Sequence, residues 1–343
     1  MEKRVGYIDS LKGFAIFLMV MGHVIPHFYP SWRDVLYEDG NTAAMSLWMI
    51  IYSFHMPLFM FCSGLFALRI KEYTWKTVGS ALWKRACTLL LPFFVAGTIK
   101  YLTVGGFLDY WFLWQLFLFT VVVIAIDGLC SLLPKYGQEV STSIIILSAL
   151  VVYKWWGKLM FMYNPPFIDI EHWNMYPYFC MGIICARYDL CTKWFSKNWV
   201  YTLAVAIFGF LTYWVTISGN SIPYQGLTIG ILPVSAIIFL VYLFKEGLSE
   251  TSKPVQWLQN IGRHSLEIYI IHVYFLFRLY PIGDFIIEQT KIDGGGRTAF
   301  MVQLITSLIV SVIIILLCYA VIHVINKSKV LSQVLLGRKS EIK

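Results

Sequence analysis

Long apolar runs separated by short polar segments fill this chain. Ten runs are long enough to cross a bilayer, at about 8–27, 45–68, 87–104, 108–127, 142–161, 174–189, 198–217, 225–245, 262–281 and 299–326. A span needs about 20 mostly apolar residues, and in lipid a helix satisfies its own backbone. The pattern predicts an all-α integral membrane protein, a bundle of about ten transmembrane helices. The segment over 142–161 is the weakest, since it carries Lys154 and Lys158. Residues 1–343 read as one transmembrane domain, with a basic tail over 327–343. The first run lacks a small-residue cleavage site, so it reads as a retained helix and not a signal peptide.

Composition agrees with the pattern. The 343 residues are 58% hydrophobic and only 13% charged, with a mean hydropathy of +0.68, which excludes a soluble globular chain. A net charge of +8 would suit nucleic acid, but the cations are sorted by loop. The ten-span topology puts 19 of the 27 Lys and Arg on the side of the termini and seven on the other, with Lys12 inside the first span. Positive residues favour the cytoplasmic side, so both termini are expected there. The seven cysteines (62, 87, 130, 180, 185, 191 and 318) lie in or beside apolar runs without metal-ligand spacing. They read as buried thiols, with no disulfide and no metal.

The first span holds the most informative polar groups. Tyr7–His23 is apolar except for Asp9, Ser10 and Lys12 at its start and His23 at its end. Lys12 and His23, on a helix, fall within about 20° of one face and about 16 Å apart along the axis. Ionisable groups in lipid cost about 2.5–3.5 kcal/mol each and normally face protein or a watery cavity. Either Lys12 snorkels to the surface and His23 is an interfacial histidine, or both line a functional stripe. Asp9 either balances Lys12 or caps the helix.

Other polar positions add candidates. Pro26–Thr42, with His27, reads as an outward loop. Ser63-Gly64, in a span that also carries Pro57, permits close helix packing or close approach of a ligand. Residues 69–85 read as a short interfacial helix mixing Lys and Arg with Trp. Its last residue, Arg85, offers a rigid fork for phosphate oxygens. The aromatics from Tyr110 to Trp114 fit an interfacial belt. The segment 163–172 reads as an outer loop with Asp169, Glu171 and His172. Gly262–Ser265 reads as a helix start whose amides suit a phosphate, or as an ordinary cap. Glu267 and His272 follow, about 140° apart on a helix. Phosphate-loop, nucleophile-elbow and zinc-protease motifs are absent, so chemistry falls to dispersed groups within the bundle.

Five of these segments, in order, resemble the membrane-bound acyltransferase family 3. They are Ile8-Asp-Ser-Leu-Lys-Gly-Phe-Ala-Ile16 ending in His23, Phe54–Gly64, Lys84-Arg85 with Pro92, Trp111–Leu113, and Ile261–His272. The resemblance covers nearly the whole chain. It implies a multi-pass enzyme of the bacterial inner membrane, an O-acyltransferase and most simply an O-acetyltransferase. Such an enzyme moves an acyl group from cytoplasmic acyl-CoA, here acetyl-CoA, to a hydroxyl of a cell-surface glycan or its lipid-linked precursor. Acyl-CoA is then a co-substrate and no cofactor is permanently bound; the partners are the bilayer and the glycan acceptor, with room for a homo-oligomer. Carried onto this sequence, His23 is the catalytic histidine and Lys12, Arg85 and Ser63 contact acyl-CoA. Asp9, Glu267 and His272 support the cavity. Lys12 replaces the family's arginine, keeping the charge and losing the bidentate fork. A polytopic transporter or flippase for a small solute or lipid-linked sugar is the alternative.

Overall fold

The computed structural model describes residues 6–29, 43–67, 70, 72–103, 110–133, 136–162, 170–216, 230–290 and 297–337. Among them the regular elements are helical. In chain order these are α1 (Gly6–Phe28), α2 (Ala43–Leu65), α3 (Trp75–Arg85), α4 (Leu91–Thr103), α5 (Trp111–Cys130) and α6 (Gly137–Met162). There follow α7 (Tyr176–Tyr188), α8 (Leu190–Lys193), α9 (Asn198–Thr216), α10 (Ile231–Tyr242) and α11 (Lys253–Arg263). The last are α12 (Ser265–Ile271), α13 (Tyr280–Thr290), α14 (Arg297–Ile325) and α15 (Lys329–Leu336).

Five helical stretches among the described residues are long and apolar enough to cross a membrane: Gly6–Phe28, Leu47–Leu65, Trp75–Thr103, Trp111–Cys130 and Met301–Ile325. A sixth is a bent pair, Ser265–Phe275 and Tyr280–Ile286, meeting at 82°. Two boundaries differ from the sequence reading. The interfacial helix expected over 69–85 and the span expected over 87–104 are continuous from Trp75, joined by a π-helical turn at Ala86–Leu90. Thr74 starts this stretch, because its hydroxyl accepts from the Thr77 amide while the Thr77 hydroxyl accepts from the Thr74 amide. The single helix expected over 262–281 is instead broken after Phe275, where the 3₁₀ turn His272–Phe275 ends. Pro281 lacks the amide an unbroken helix would need, and the Leu279 amide donates to the His27 carbonyl at 2.9 Å.

The chain forms two compact units. The first comprises Met1–Phe59 and Cys191–Ile322. Its backbone is α1, buried along Leu11, Ile16, Val20 and Ile25, with α11 crossing it at van der Waals contact. A Cβ added at Gly13 would overlap the Leu258 carbonyl oxygen, and one at Gly262 would overlap the Asp9 carbonyl oxygen. Two residues without side chains thus let the helix backbones touch, which aligns the residues on either side of each glycine. Gly262 therefore serves the helix crossing; the new helix starts only at Ser265. Helices α9 and α10 pair through stacked Tyr201 and Tyr242, with ring centroids 4.4 Å apart.

The second unit comprises Met60–Leu190 and His323–Lys343. Gly64 and Gly182 repeat the same device, since a Cβ on either would overlap the partner helix backbone at Phe179 or Phe61. The packing reading of Ser63-Gly64 thus holds for the glycine. Phe119 fills the neighbouring core against Trp173, Tyr176 and Phe179. In the basic tail, α15 packs on α4: a Cβ at Gly337, left-handed at φ 63°, would lie 2.5 Å from the Thr88 carbonyl oxygen.

Candidate active site

Within the first unit, α1 carries Asp9 and Lys12 near one end and His23 near the other, each partly buried. His23 Nδ1 lies 2.8 Å from the Met19 carbonyl oxygen. A carbonyl only accepts, so in the neutral ring Nδ1 bears the proton and Nε2 keeps the basic lone pair. His272 is oriented in the same way, its Nδ1–H donating to the Tyr269 carbonyl at 2.8 Å. His272 opens the 3₁₀ turn that continues α12, and its ring lies beside His23, with centroids 5.3 Å apart and planes at 61°. Tyr52 completes the surround, its ring 6.2 Å from that of His23 and 4.8 Å from that of His55. Gly22 makes room: a Cβ there would meet the Tyr52 ring at 2.7 Å.

His55 is buried and donates from Nδ1 to the Ile51 carbonyl at 2.7 Å. His27, expected in an outward loop, belongs to the last turn of α1, where Nδ1 donates to the His23 carbonyl at 2.7 Å. The rest of that loop, 30–42, lies outside the described residues. Tyr29 follows α1 and bonds the Thr306 hydroxyl; burial pushes its own hydroxyl pKa upward.

A second polar group lies toward the N-terminal end of α1. Arg263 Nε stands 3.7 Å from Asp9 Oδ2, and the Arg263 side chain is 45% exposed. His264 Nδ1 is 3.9 Å from the buried Glu267 carboxylate, and the His264 ring packs edge-on to Tyr319 at 5.5 Å. Asp9, Lys12, His23, Glu267 and His272 therefore all belong to one unit, along one helix and the broken segment beside it. Arg263 and Tyr52 were not singled out from the sequence. In the sequence Arg263 follows Gly262 directly and reads as one of the cations on the side of the termini.

Ser63 and Arg85 belong to the second unit and lie at one helix end. Arg85 Nη2 donates to the Phe66 carbonyl at 3.1 Å and is 3.4 Å from that of Ala67. It therefore closes the C-terminal end of α2, where unsatisfied carbonyls attract a cation. The chain region around Arg85 thus has a structural task that the sequence did not disclose.

The same unit holds a buried charge cluster that sequence reasoning missed. Arg187 on α7 reaches both Asp127 carboxylate oxygens through Nη2 at 2.6 Å. Its Nη1 donates to Thr142 at 3.0 Å and to Ser141 at 3.3 Å, while Ser141 also bonds Asp127. Tyr73 donates to Asp127 at 3.1 Å, and burial, reinforced by that carboxylate, pushes the Tyr73 hydroxyl pKa well up. Each charge has partners, so the cluster ties α5, α6 and α7 to the segment before α3. The available signal was Asp127 at the end of an otherwise apolar run. Elsewhere, His172 stacks on Trp111 at 3.7 Å, while 163–169 lie outside the described residues.

The profile of the acyltransferase family 3, described as an acyltransferase domain, matches residues 5–321. Two relatives are nodulation proteins NolL. That of Sinorhizobium fredii (strain NBRC 101917 / NGR234) is 28% identical over 204 residues, 52% of this chain and 48% of that protein. That of Mesorhizobium japonicum (strain LMG 29417 / CECT 9101 / MAFF 303099) is 24% identical over 230 residues, 60% of this chain and 54% of that protein. The chain spans about half the length of the curated relatives it matches. No solved structure matches.

Proposed function

Because the chain belongs to the membrane-bound acyltransferase family 3, we propose that it is a multi-pass O-acyltransferase with His23 as its base. The donor in this reading is cytoplasmic acyl-CoA, most simply acetyl-CoA. The acceptor is a hydroxyl of a cell-surface glycan or its lipid-linked precursor. The reading places the protein in a bacterial inner membrane, with about ten spans and both termini cytoplasmic. The observation that carries it is the His23 ring, fixed on α1 by its bond to Met19 so that Nε2 is the basic nitrogen.

The reaction then follows from that tautomer. The acceptor hydroxyl gives its proton to His23 Nε2 while its oxygen bonds the thioester carbonyl carbon. The carbon–sulfur bond breaks and the imidazolium returns the proton to the leaving thiolate, giving an ester and coenzyme A. His272 and Tyr52 hold the His23 ring in place. Lys12 lies about 16 Å from His23 along α1, close to the reach of a pantetheine arm, and holds phosphate oxygens while the thioester meets His23. Asp9 and Glu267 balance charge along that lane. Arg85 and Ser63 are kept as acyl-CoA contacts on the family resemblance, Arg85 alongside its capping task.

The test is release of coenzyme A from acetyl-CoA by the full chain purified in detergent, with water taking the acyl group in place of the acceptor hydroxyl. Wild type is expected to release it, and His23→Ala to lose that activity while keeping its melting temperature. Equal turnover by both would remove His23 from the chemistry. No turnover or binding of acyl-CoA by well-folded wild type would favour a transporter or flippase.

A further inference from the structure

We infer that Arg263 binds a phosphate group of the acyl-CoA donor, supplying beside Lys12 the planar fork that Lys12 lacks. This inference rests on the acyl-CoA reading above and names a contact which neither that reading nor the sequence assigned. The Gly13–Gly262 crossing sets the position of Arg263. Because those two backbones touch, the residue after Gly262 is carried to the face of α1 that holds Asp9 and, about one turn further in, Lys12.

The state of the guanidinium is the second observation. A carboxylate that captured Arg263 would accept two parallel bonds of roughly 2.7–2.9 Å. Asp9 instead stands 3.7 Å away, Oδ2 from Nε, beyond hydrogen-bond distance. Asp9 Oδ2 is itself buried without a hydrogen bond among the described residues. The two terminal nitrogens of Arg263 likewise make no hydrogen bond among them, and nearly half of the side chain is open to solvent. Arg187 and Arg85 differ: the first is fully engaged by Asp127, Ser141 and Thr142, and the second caps α2.

Charges of both signs gather at this end of α1: the cations Arg263 and Lys12, the Asp9 carboxylate, and the Glu250 carboxylate against Gly6, while Glu267 is directed to His264. Arg263 is the cation among them whose side chain is 45% exposed. Arg263 stands nearest Asp9, which is about 21 Å from His23 along the helix, one turn beyond Lys12. A donor whose thioester lies at His23 brings its phosphates to this level. Asp9 then acts as a tether that aims the guanidinium through Nε and leaves the outer edge for phosphate oxygens.

The experiment compares three donors on the full chain: acetyl-CoA, 3′-dephospho-acetyl-CoA and the acetyl thioester of N-acetylcysteamine, which has no phosphate. Charge-assisted hydrogen bonds of this kind are worth about 10- to 100-fold in affinity. Arg263→Ala is therefore expected to raise KM for acetyl-CoA about 10- to 100-fold with kcat little changed. Arg263→Lys is expected to recover part of that. Both variants are expected to match wild type on the N-acetylcysteamine thioester, which also shows that they fold. A penalty that persists with the dephospho donor places the contact on the pyrophosphate, and one that vanishes places it on the 3′-phosphate; both support the assignment. A loss of equal size on all three donors overturns it, showing a merely structural ion pair. Unchanged kinetics on acetyl-CoA overturn it while leaving the acyltransferase reading intact. Failure of wild type to consume any of the donors overturns both.

Discussion

His23 and His272 face each other with ring centroids 5.3 Å apart, and each ring is oriented by a backbone carbonyl at its Nδ1. The two rings therefore turn the same kind of nitrogen, Nε2, away from the backbone. A histidine so placed can steady the imidazolium that forms when His23 takes a proton. His272→Gln is expected to lower kcat about tenfold, with KM for acetyl-CoA unchanged, since one supporting polar contact is worth about 1–2 kcal/mol. Steady-state kinetics on acetyl-CoA check this. A shift in KM instead would make His272 a donor contact.

Helix contact in the first unit should be sensitive to one methyl group. Gly13→Ala or Gly262→Ala drives a Cβ into backbone that has no room to yield, and overpacking of this kind costs about 1–3 kcal/mol. Either variant should melt earlier in detergent and lose acyl transfer. Gly79→Ala is the control, because nothing lies within 4 Å of the added carbon. It should melt no earlier than wild type.

Asp127 and Arg187 make a separate prediction for the second unit. Removing one partner strands a buried charge, at a cost of about 3–5 kcal/mol. Asp127→Ala and Arg187→Ala should each lower the melting temperature sharply. The pair Asp127→Leu with Arg187→Met should restore much of the loss, because no buried charge then remains. Melting curves of the four proteins test the coupling.

Arg85 is expected to matter even without a donor. Arg85→Ala leaves the Phe66 carbonyl without its 3.1 Å donor, which costs about 1–3 kcal/mol. Its melting temperature should fall in the absence of acetyl-CoA. An unchanged melting point with a raised KM would assign Arg85 to the donor alone.

Much of the first helix was legible in the sequence. Asp9, Lys12 and His23 stand out because a charge or imidazole within an apolar run needs a reason, and their spacing fixes their face. The break after Phe275 was not legible, since the apolar run continues across it. What decides it is Pro281 together with the His27 carbonyl, which receives the Leu279 amide from a distant part of the chain. Composition also changes abruptly between 69–85 and 87–104 while the backbone does not, so one continuous helical stretch looked like two elements. The Asp127–Arg187 pair joins residues too far apart in sequence for periodicity to connect them. Arg263 was visible as a cation, but only the Gly13–Gly262 contact gives it an address.

The π-helical turn at Ala86–Leu90 sets a phase. Here the Leu91 amide reaches back to the Ala86 carbonyl, so the turn holds one residue more than an α-helical turn would. One residue is worth about 100° of rotation. In genetic terms the turn resembles an insertion that was kept. Deleting a single codon within it would restore an ordinary helix and yet rotate Arg85 away from the face set by Pro92, Phe93 and Ala96, which are buried in α4. A reading frame that loses one residue there keeps its helix and loses its register.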